Sequence, residues 1–430
     1  MRIRFIQKFI NVLRGKEEFD FVLKNRIKAC HKNYKKIIIK IREKVKAGEK
    51  IKVGFMVVYD SVFPAENIFK AMLNDEIFEP KIIVIPDIIR GEENQWHNLQ
   101  KTFSTLSNRY SSVINSYNEE KKAFEDVSTK ADIFFFANPY DQMTHDFYSI
   151  EYISQKALTC LVPYAFWVTS YIETFVKKVP ELKYLWKLFL ETDCIKKYYI
   201  EIGKVDEKNI CVSGYPRTDD LYTIEKINNR RKKIILAPHS VSQKNTTGIE
   251  FAEFLKFHDC ILKLPRLYPQ IDFVFRPHPF LFVNLQNEKI WTKDDVNSYI
   301  NQMKSYPNVV YQDGGPFAFD FVNSDGIIHD CGSFLPEYLI TNNPTCYLQS
   351  SKEVYHKYFI ELGQRCLDNC YIANTEQKIL NFIDNVILND DDFMQQKRVE
   401  FVKNELAKNP GVASKFIIDF LKKQLGVNID

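Results

Sequence analysis

Short, continuous apolar runs alternate with amphipathic stretches along most of this chain, and this alternation restricts the possible folds more than any other feature. The first run begins at Ile51 (IKVGFMVVYD), and later ones read PKIIVIPD, ADIFFFANPY, ALTCLVPYAF and KNICVSGYP. Strands that are apolar on both faces and separated by helices are typical of parallel sheets covered by helices on both sides. We therefore predict an α/β fold.

The alternation is interrupted by a polar segment, residues 216–233, and then restarts with KKIILAPHS, IDFVFRPHP, NVVYQDGG and SDGIIHDCGS. With 430 residues the chain is long enough for two or three domains. We predict two Rossmann-like domains that face each other across a cleft, residues 49–225 and residues 226–430. The C-terminal helices, from about Glu376, complete the second domain. The last of these helices is a candidate for crossing back to the first domain.

Residues 1–48 form a separate basic, helical extension in this prediction. Residues 1–50 contain 16 Lys or Arg against 5 Asp or Glu, whereas the rest of the chain is net acidic. A helix over Ile3–Leu13 has one apolar and one basic face, which suits an anchor on anionic lipid. An ordinary helix packed on the body is the alternative. The basic pattern continues over residues 19–48 and ends at Gly48; its partner is a lipid surface or a nucleic acid.

The expected location is the cytoplasm. No apolar run approaches the roughly 20 residues that a membrane-spanning helix needs. The nine cysteines are scattered through apolar runs, as expected for reduced, packed thiols. The opening MRIRFIQKFI has neither the apolar core nor the cleavage site of a secretory signal.

Three histidines follow predicted strands in the second half of the chain: His239 after IILAP, His278 after FVFRP, and His329 at the end of GII. A single histidine is more often structural than catalytic, but three at one sheet edge favour a site, because ligands bind at the carboxyl ends of parallel strands. Imidazole can accept a proton from a hydroxyl near neutral pH. Arg276 adds a permanent positive charge, so the group of residues indicates a site for phosphoryl groups.

The stretch HDCGSFLPEYL predicts an anion site at a strand–helix junction. It passes from a strand end through Gly332 and Ser333 into a helix that begins near Phe334, whose free N–H groups would face an anion. Glu337 lies one turn further, within reach of ribose hydroxyls. The alternatives are a plain helix N-cap for Ser333 and a solvated side chain for Glu337. The sequence contains no GxxxxGK[ST] loop and no GxGxxG after the first strand, which argues against ATPase and nicotinamide-binding functions.

These motifs resemble those of the CDP-glycerol glycerophosphotransferase family, whose members build teichoic acids and related capsule or O-antigen linkages. The resemblance rests on APHS at 237–240, RPHP at 276–279 and SDGIIHDCGSFLPEYLITNNP at 324–344, and covers roughly residues 205–350. The family's Asp-Tyr-Ser-Ser pattern is here Asp-Cys-Gly-Ser, and the second histidine common after APHS is missing.

The resemblance implies a GT-B fold, with 49–225 as acceptor domain and 226–430 as nucleotide-donor domain. It also implies a catalytic pair, His239 and His278, in which His239 is the general base or a substrate-orienting group. The donor-binding residues would be Arg276, His329, Asp330, Gly332, Ser333 and Glu337. Among them Arg276, together with His278, would contact the diphosphate of CDP. Asp330, Gly332 and Ser333 would hold phosphate, and Glu337 would bind the ribose. Members of this family generally need no bound metal, so no cofactor is expected.

We therefore expect an enzyme that transfers an alditol phosphate, glycerol phosphate first among the candidates, from a CDP-alditol to a hydroxyl of a cell-surface glycan or lipid-linked acceptor, releasing CMP. It would lie on the inner face of the bacterial cell membrane, held at an anionic surface by residues 1–48. The alternatives are a GT-B glycosyltransferase with a nucleotide-sugar donor and a nucleotide-sugar epimerase. A nucleic-acid-binding protein is disfavoured because the three histidines and the anion site would then have no purpose.

Overall fold

A computed structural model describes residues 16–228, 230–241, 251–349 and 351–427, so the predicted helix at Ile3–Leu13 lies outside the described part of the chain. The first described element is a long helix, α1 (Lys16–Lys46), followed by Gly48 with a φ of 79°. It confirms the predicted helical pattern of residues 19–48. None of the helices in the described ranges is both long and apolar enough to cross a membrane.

Helix α1 packs against the body along one side only. The buried side chains on this side are Cys30, Tyr34, Ile37 and Ile41. Their spacing of three to four residues places them on a single stripe of the helix. The Tyr34 hydroxyl donates to the carbonyl oxygen of Tyr184 at 2.6 Å, which ties the helix to the first α/β unit.

The first α/β unit contains a parallel sheet of the strands β1 (Ile51–Val57), β2 (Phe78–Val84), β3 (Val113–Asn115), β6 (Ile133–Phe136), β7 (Leu158–Leu161), β8 (Lys187–Leu190) and β9 (Ile210–Val212), and a small antiparallel pair, β4 (Tyr117–Asn118) and β5 (Ala123–Phe124). The strand order in the parallel sheet is β3-β2-β1-β6-β7-β8-β9. Its helices are α2 (Glu66–Leu73), α3 (Glu92–Arg109), α4 (Ile150–Ile153), α5 (Tyr171–Lys178), of which only the residues from Phe175 onward belong to this unit, and α6 (Asp193–Glu201). Short 3-10 helices cover Asp141–Met143, Asp146–Tyr148, Pro180–Tyr184, Glu207–Asn209 and Pro216–Thr218.

The second unit contains a parallel sheet of the strands β10 (Lys233–Ala237), β11 (Asp272–Phe275), β12 (Val309–Tyr311), β13 (Gly326–His329), β14 (Thr345–Leu348) and β15 (Tyr371–Ala373). The strand order in this sheet is β12-β11-β10-β13-β14-β15. The helices that precede β13 in the chain are α7 (Asp220–Thr223), α8 (Phe254–Leu267), α9 (Leu281–Asn287), α10 (Lys293–Ser305) and α11 (Ala318–Val322). The later helices are α12 (Phe334–Leu339), α13 (Lys352–Tyr358), α14 (Glu361–Leu367), α15 (Glu376–Asn381) and α16 (Gln395–Phe401), with π-helical turns at Phe382–Leu388 and Val402–Leu406. The last helix is α17 (Ala413–Leu425).

Strands β6 and β13, which lie at the centres of the two sheets, are buried along their whole length, as expected for strands covered on both faces. All four residues of β6 and all four of β13 are buried. Helix α8 covers the second sheet with Phe254, Phe257, Ile261 and Leu264, a helical spacing that gives one apolar face. The predicted α/β fold with two parallel sheets is confirmed.

The units divide the chain differently from the predicted ranges 49–225 and 226–430. The first unit ends at Arg217 and also contains the residues from Val412 onward, whereas the second contains Ala165–Thr174 and Thr218–Gly411. The C-terminal residues join the first unit because α17 packs against α2 and places Phe420 edge-on to Phe189, with ring centroids 5.9 Å apart. Helix α17, the last helix, thus crosses back to the first unit, in agreement with the possibility raised from the sequence.

Candidate active site

The strand order of the second sheet brings the three predicted histidines to one edge. Strand β10 pairs with β11 on one side and β13 on the other, with Leu236 opposite Phe275 and Ala237 opposite His329. Because β10 is followed in sequence by β11 but lies next to β13, the point between β10 and β13 is where the topology reverses. Ligands bind at such reversal points in open α/β sheets.

His239 and His278 lie against each other at this point. Their ring centroids are 4.6 Å apart at an interplanar angle of 40°. The main-chain N–H of His278 donates to the carbonyl oxygen of Pro238 at 2.9 Å, which connects the loop after β11 to the loop after β10. Both imidazoles can therefore contact the same chemical group of a bound ligand.

Hydrogen bonds to the main chain assign different tautomers to these two rings. Nδ1 of His239 lies 3.2 Å from the carbonyl oxygen of Ser240, which can only accept, so Nδ1 carries the proton and Nε2 has a free lone pair. Nδ1 of His278 accepts from the N–H of Phe280 at 3.1 Å, so its proton is on Nε2. In the neutral state His239 presents an acceptor, whereas His278 presents a donor.

His329, the last residue of β13, is a second donor of the same kind. It is fully buried, and its Nδ1 accepts from the N–H of Cys331 at 3.2 Å, leaving the proton on Nε2. Among the described residues, Nε2 has no hydrogen-bond partner. The ring meets that of Tyr347 edge to face, with centroids 5.1 Å apart.

Burial keeps all three imidazoles neutral at physiological pH. Desolvation lowers the pKa of His278 to about 3 and that of His329 to about 3, because a buried ring loses the hydration of its charged form. Desolvation also lowers the pKa of His239 below 6.5, although the nearby Asp330 carboxylate partly opposes this effect.

Asp330 is fully buried, and its side chain holds the backbone of the site. Oδ1 accepts from the main-chain N–H of His239, and Oδ2 accepts from that of Glu253, each at 2.6 Å. Burial raises the pKa of this carboxyl, while the two N–H donors and His239 lower it. In this structure Asp330 positions the loop that presents His239, and its contact with a donor phosphate stays a prediction.

Arg276 is 7 % exposed, and its guanidinium shapes the loop after β12. It donates to Oε1 of Gln312 at 2.7 Å, to the carbonyl oxygen of Pro316 at 3.3 Å, and to that of Gly315. Gly315 has a φ of 83°, a left-handed conformation that glycine adopts without strain. The predicted contact of Arg276 with a diphosphate therefore stays a prediction.

The segment predicted as an anion site has a different local geometry from the one expected. Ser333 precedes α12 with helical backbone angles, and its hydroxyl makes no capping bond but lies 3.4 Å from Sγ of Cys331. Helix α12 has only six residues. Gly332 has close neighbours, since a Cβ added there would lie 3.1 Å from Cγ2 of Thr169. Glu337 is completely buried rather than solvated. A role for these three residues in donor binding stays a prediction.

Sequence reasoning missed one contribution to this site, the segment Ala165–Thr174. The predicted domain boundaries place these residues in the first domain, 49–225. In the structure Thr169 pairs with Phe359 and borders Gly332. No local pattern signals this contact, because it joins residues more than 150 positions apart.

A separate cavity of about 240 Å³ lies beside β15 and the π-helical turn at Phe382–Leu388. Its lining includes Tyr371, Lys378 and Asp391, but none of the predicted site residues. Within the described ranges, no group of three or more His, Cys, Asp or Glu side chains is arranged to hold a metal ion.

The sequence matches no protein-family model and no curated protein. Several solved structures share the fold. The wall teichoic acid polymerase TagF is 13 % identical, with a TM-score of 0.59 and coverage of 98 % of each chain. A variant of TagF soaked with CDPG is 12 % identical (TM-score 0.56), over 92 % of this chain and 98 % of that one. UDP-GlcNAc 2-epimerase from Neisseria meningitidis, bound to UDP-GlcNAc, is 14 % identical (TM-score 0.53), over 87 % and 100 %.

The chain has a GT-B-like fold. At 12 to 14 % identity these similarities establish the architecture and leave the reaction to the site itself. In this GT-B-like chain the predicted site residues all belong to the second unit. They provide one neutral base, two neutral N–H donors and a buried carboxylate that positions the base.

Proposed function

We propose that this protein is a transferase that moves an alditol phosphate from a CDP-alditol to an acceptor hydroxyl and releases CMP. The observation that carries the proposal is the His239–His278 pair, a base and a hydrogen-bond donor with ring centroids 4.6 Å apart at the topological reversal of a parallel sheet. Such a pair suits phosphoryl transfer, because a proton leaves the nucleophile while negative charge develops on the leaving group.

In the proposed reaction the acceptor oxygen attacks the β-phosphorus of the CDP-alditol. Nε2 of His239 takes the proton of the acceptor hydroxyl as the new P–O bond forms. The bond between the β-phosphorus and the bridging oxygen breaks, and its electron pair leaves with CMP. Asp330 keeps His239 in place through its hydrogen bond to the main chain and favours the imidazolium that results.

The leaving CMP is stabilised by neutral donors in this proposal. Nε2–H of His278 donates to the diphosphate, and the buried Nε2–H of His329 is a second donor for it. Arg276 shapes the neighbouring loop and adds positive charge, the Gly332–Ser333 turn holds phosphate, and Glu337 accepts from the ribose. The proposal includes no metal or other cofactor, so CMP release should continue in excess chelator.

The acceptor is proposed to be a cell-surface glycan or a lipid-linked intermediate, with glycerol as the first candidate alditol. Two considerations support this choice. The motifs at 237–240, 276–279 and 324–344 resemble those of CDP-glycerol glycerophosphotransferases. A teichoic acid polymerase, including a form soaked with CDPG, also has the same architecture over nearly the whole chain.

We also propose that the protein is attached to the inner face of the cell membrane, where such an acceptor is made. Helix α1 contributes to this attachment. Six exposed lysines lie on the half of α1 opposite its buried stripe: Lys24, Lys28, Lys32, Lys35, Lys36 and Lys40. Residues 21–40 contain no Asp or Glu. The same face carries Phe21, 65 % exposed, and Ile39, 54 % exposed. Lysines near an anionic leaflet contribute roughly 1 kcal/mol each to binding.

A second candidate is an enzyme acting on a nucleotide sugar, either a glycosyltransferase or an epimerase. A UDP-GlcNAc 2-epimerase bound to UDP-GlcNAc matches with a TM-score close to those of the polymerase. The same pair of histidines would then face a UDP-sugar. The two candidates differ in the nucleotide that binds and in the nucleotide that is released.

The test is a thermal-shift titration of the full chain with CMP, CDP, UDP and CDP-glycerol, followed by chromatographic detection of CMP. A ligand that binds the folded state raises the melting temperature with its saturation. Selective stabilisation by the cytidine nucleotides, and CMP release that depends on an added acceptor, are expected. Selective stabilisation by UDP, with release of a uridine nucleotide or none, would replace the proposal with the second candidate.

A further inference from the structure

The segment Ala165–Thr174 is anchored in the second unit by its main chain. Thr169 forms an isolated antiparallel bridge with Phe359. The flanking hydrogen bonds run from Ser170 N to Tyr358 O at 2.9 Å and from Ile360 N to Val168 O at 3.0 Å. A Cβ at Gly363 would lie 2.2 Å from Val168 O, so the backbone passes directly over α14. The position of Thr169 is therefore set by backbone contacts rather than by its own side chain.

The side chain of Thr169 lies beside Gly332, which follows the strand that ends at His329. Its methyl group lies 3.1 Å from the point where a Cβ on Gly332 would be, and Cζ of Phe251 lies 3.5 Å from the same point. The Phe251 ring also contacts His239, with centroids 5.8 Å apart. Within the described residues the Thr169 hydroxyl makes no hydrogen bond. It is bonded to Cβ, the same carbon that carries the methyl group facing Gly332.

We propose that the Thr169 hydroxyl donates a hydrogen bond to the diphosphate of the nucleotide bound at the histidine site. Thr169 is then a binding residue that the first half of the sequence contributes to the nucleotide-binding unit. The inference rests on the proposed function only in requiring a nucleoside diphosphate at this site, whichever base it carries. A hydrogen bond to a charged phosphate is stronger than one between neutral groups.

The test compares Thr169→Val with Thr169→Ser in the full chain. Valine keeps nearly the same shape and removes the hydroxyl, whereas serine keeps the hydroxyl and removes the methyl group. Binding of CDP and of cytidine is measured by titration calorimetry. We expect Thr169→Val to weaken CDP binding about ten- to hundredfold, with cytidine binding unchanged and Thr169→Ser close to wild type.

Thr223→Val serves as the matched control, because the Thr223 hydroxyl is bonded to the carbonyl oxygen of Asp220, one turn earlier in α7. It should bind CDP as the wild type does. If Thr169→Val lowers the melting temperature, Thr169→Ala supplies a second variant without the hydroxyl. Wild-type affinity for CDP in either folded variant, or a loss confined to Thr169→Ser, would overturn the inference in favour of simple packing.

The inference and the proposed function can fail separately. If the wild-type protein binds UDP and not CDP, the proposed CDP-alditol transfer is wrong, and the same comparison with UDP and uridine tests Thr169. If Thr169→Val binds CDP normally while the wild type releases CMP from CDP-glycerol, only the inference fails. A wild-type protein that binds neither nucleotide overturns both.

Discussion

At the scale of single residues, the site depends on which nitrogen of each histidine carries the proton. His239 and His278 have the same side chain and neighbouring positions, but their main-chain partners are a carbonyl oxygen and an N–H group, respectively. The first partner leaves Nε2 as an acceptor and the second leaves it as a donor. The two rings therefore have opposite roles in the proposed transfer.

Glutamine substitutions test these roles, because a glutamine amide can donate a hydrogen bond from about the position of Nε2 but cannot act as a base. We expect His239→Gln to lower kcat on the order of 10² to 10⁴-fold with CDP affinity retained. His278→Gln should keep much of the activity, and His278→Ala should lose most of it without unfolding the protein. The measurement is acceptor-dependent CMP release alongside CDP titration. Equal losses for the two glutamine variants would contradict the assignment.

The pH dependence of kcat/KM should report His239. Because desolvation lowers the pKa of this ring below its usual value, the acidic limb of the kcat/KM profile should be centred below pH 6.5. Asp330 raises the pKa of His239, so Asp330→Asn should move the acidic limb to lower pH. An acidic limb centred above pH 7 would exclude His239 as the base.

At the level of secondary-structure elements, α1 and α14 show that the residue types along a helix depend on the parts of the protein that pack against it. Helix α1 has an apolar stripe on one side and lysines on the other, a pattern that is visible in the sequence. Helix α14 instead contains Gly363, ordinarily unfavourable in a helix by about 1 kcal/mol relative to alanine. Here the glycine is required because the carbonyl oxygen of Val168 occupies the space of a Cβ.

Reversal of the lysine face should abolish membrane attachment by α1. The test variant carries four Lys-to-Glu substitutions, at Lys28, Lys32, Lys36 and Lys40. We expect it to sediment less with phosphatidylglycerol vesicles than the wild type does, and we expect the wild type not to bind vesicles of pure phosphatidylcholine. The control carries four equivalent changes at exposed positions of the second unit: Lys263, Lys289, Lys293 and Lys403. Binding of duplex DNA in place of vesicles, or equal loss in both variants, would contradict a lipid-binding α1.

Gly363→Ala should destabilise the protein, although glycine-to-alanine changes in helices are normally stabilising. The added Cβ would lie 2.2 Å from Val168 O, so either the segment Ala165–Thr174 or α14 must move. We expect a loss of about 1–3 kcal/mol in the free energy of unfolding and weaker CDP binding. The measurement is urea denaturation with and without CDP. A more stable variant would show that the segment does not pass over α14.

At the scale of the whole molecule, neither unit is a continuous stretch of chain. The first unit is completed by α17, and the second by Ala165–Thr174. Helix α17 buries Ile417, Ile418, Leu421 and Leu425, while Lys422 forms an ion pair with Asp75 at 2.7 Å. The C-terminus of the chain thus contributes to the stability of the unit that contains its beginning.

Deletion of residues 412–430 should therefore destabilise the first unit and not the second. Each fully buried aliphatic side chain contributes about 1.5–3 kcal/mol, so the loss should be large enough to lower the unfolding temperature clearly. Scanning calorimetry with and without CDP separates the transitions, since CDP should raise the transition of the second unit. A deletion that lowers only the CDP-sensitive transition would assign α17 to the second unit instead.

Local patterns along the chain were enough to predict the α/β class, the two parallel sheets, the basic helix and the location of three histidines at strand ends. These features depend on local periodicity and on the rule that ligands bind at the carboxyl ends of strands, both of which are readable along the chain. Four further features became visible only in the folded chain: the burial of Glu337, the hydrogen bonds by which Arg276 and Asp330 hold loops, the opposite tautomers of His239 and His278, and the position of Thr169 beside Gly332. Each of these depends on a partner distant in sequence or on the direction of a main-chain group after folding, which no residue pattern encodes.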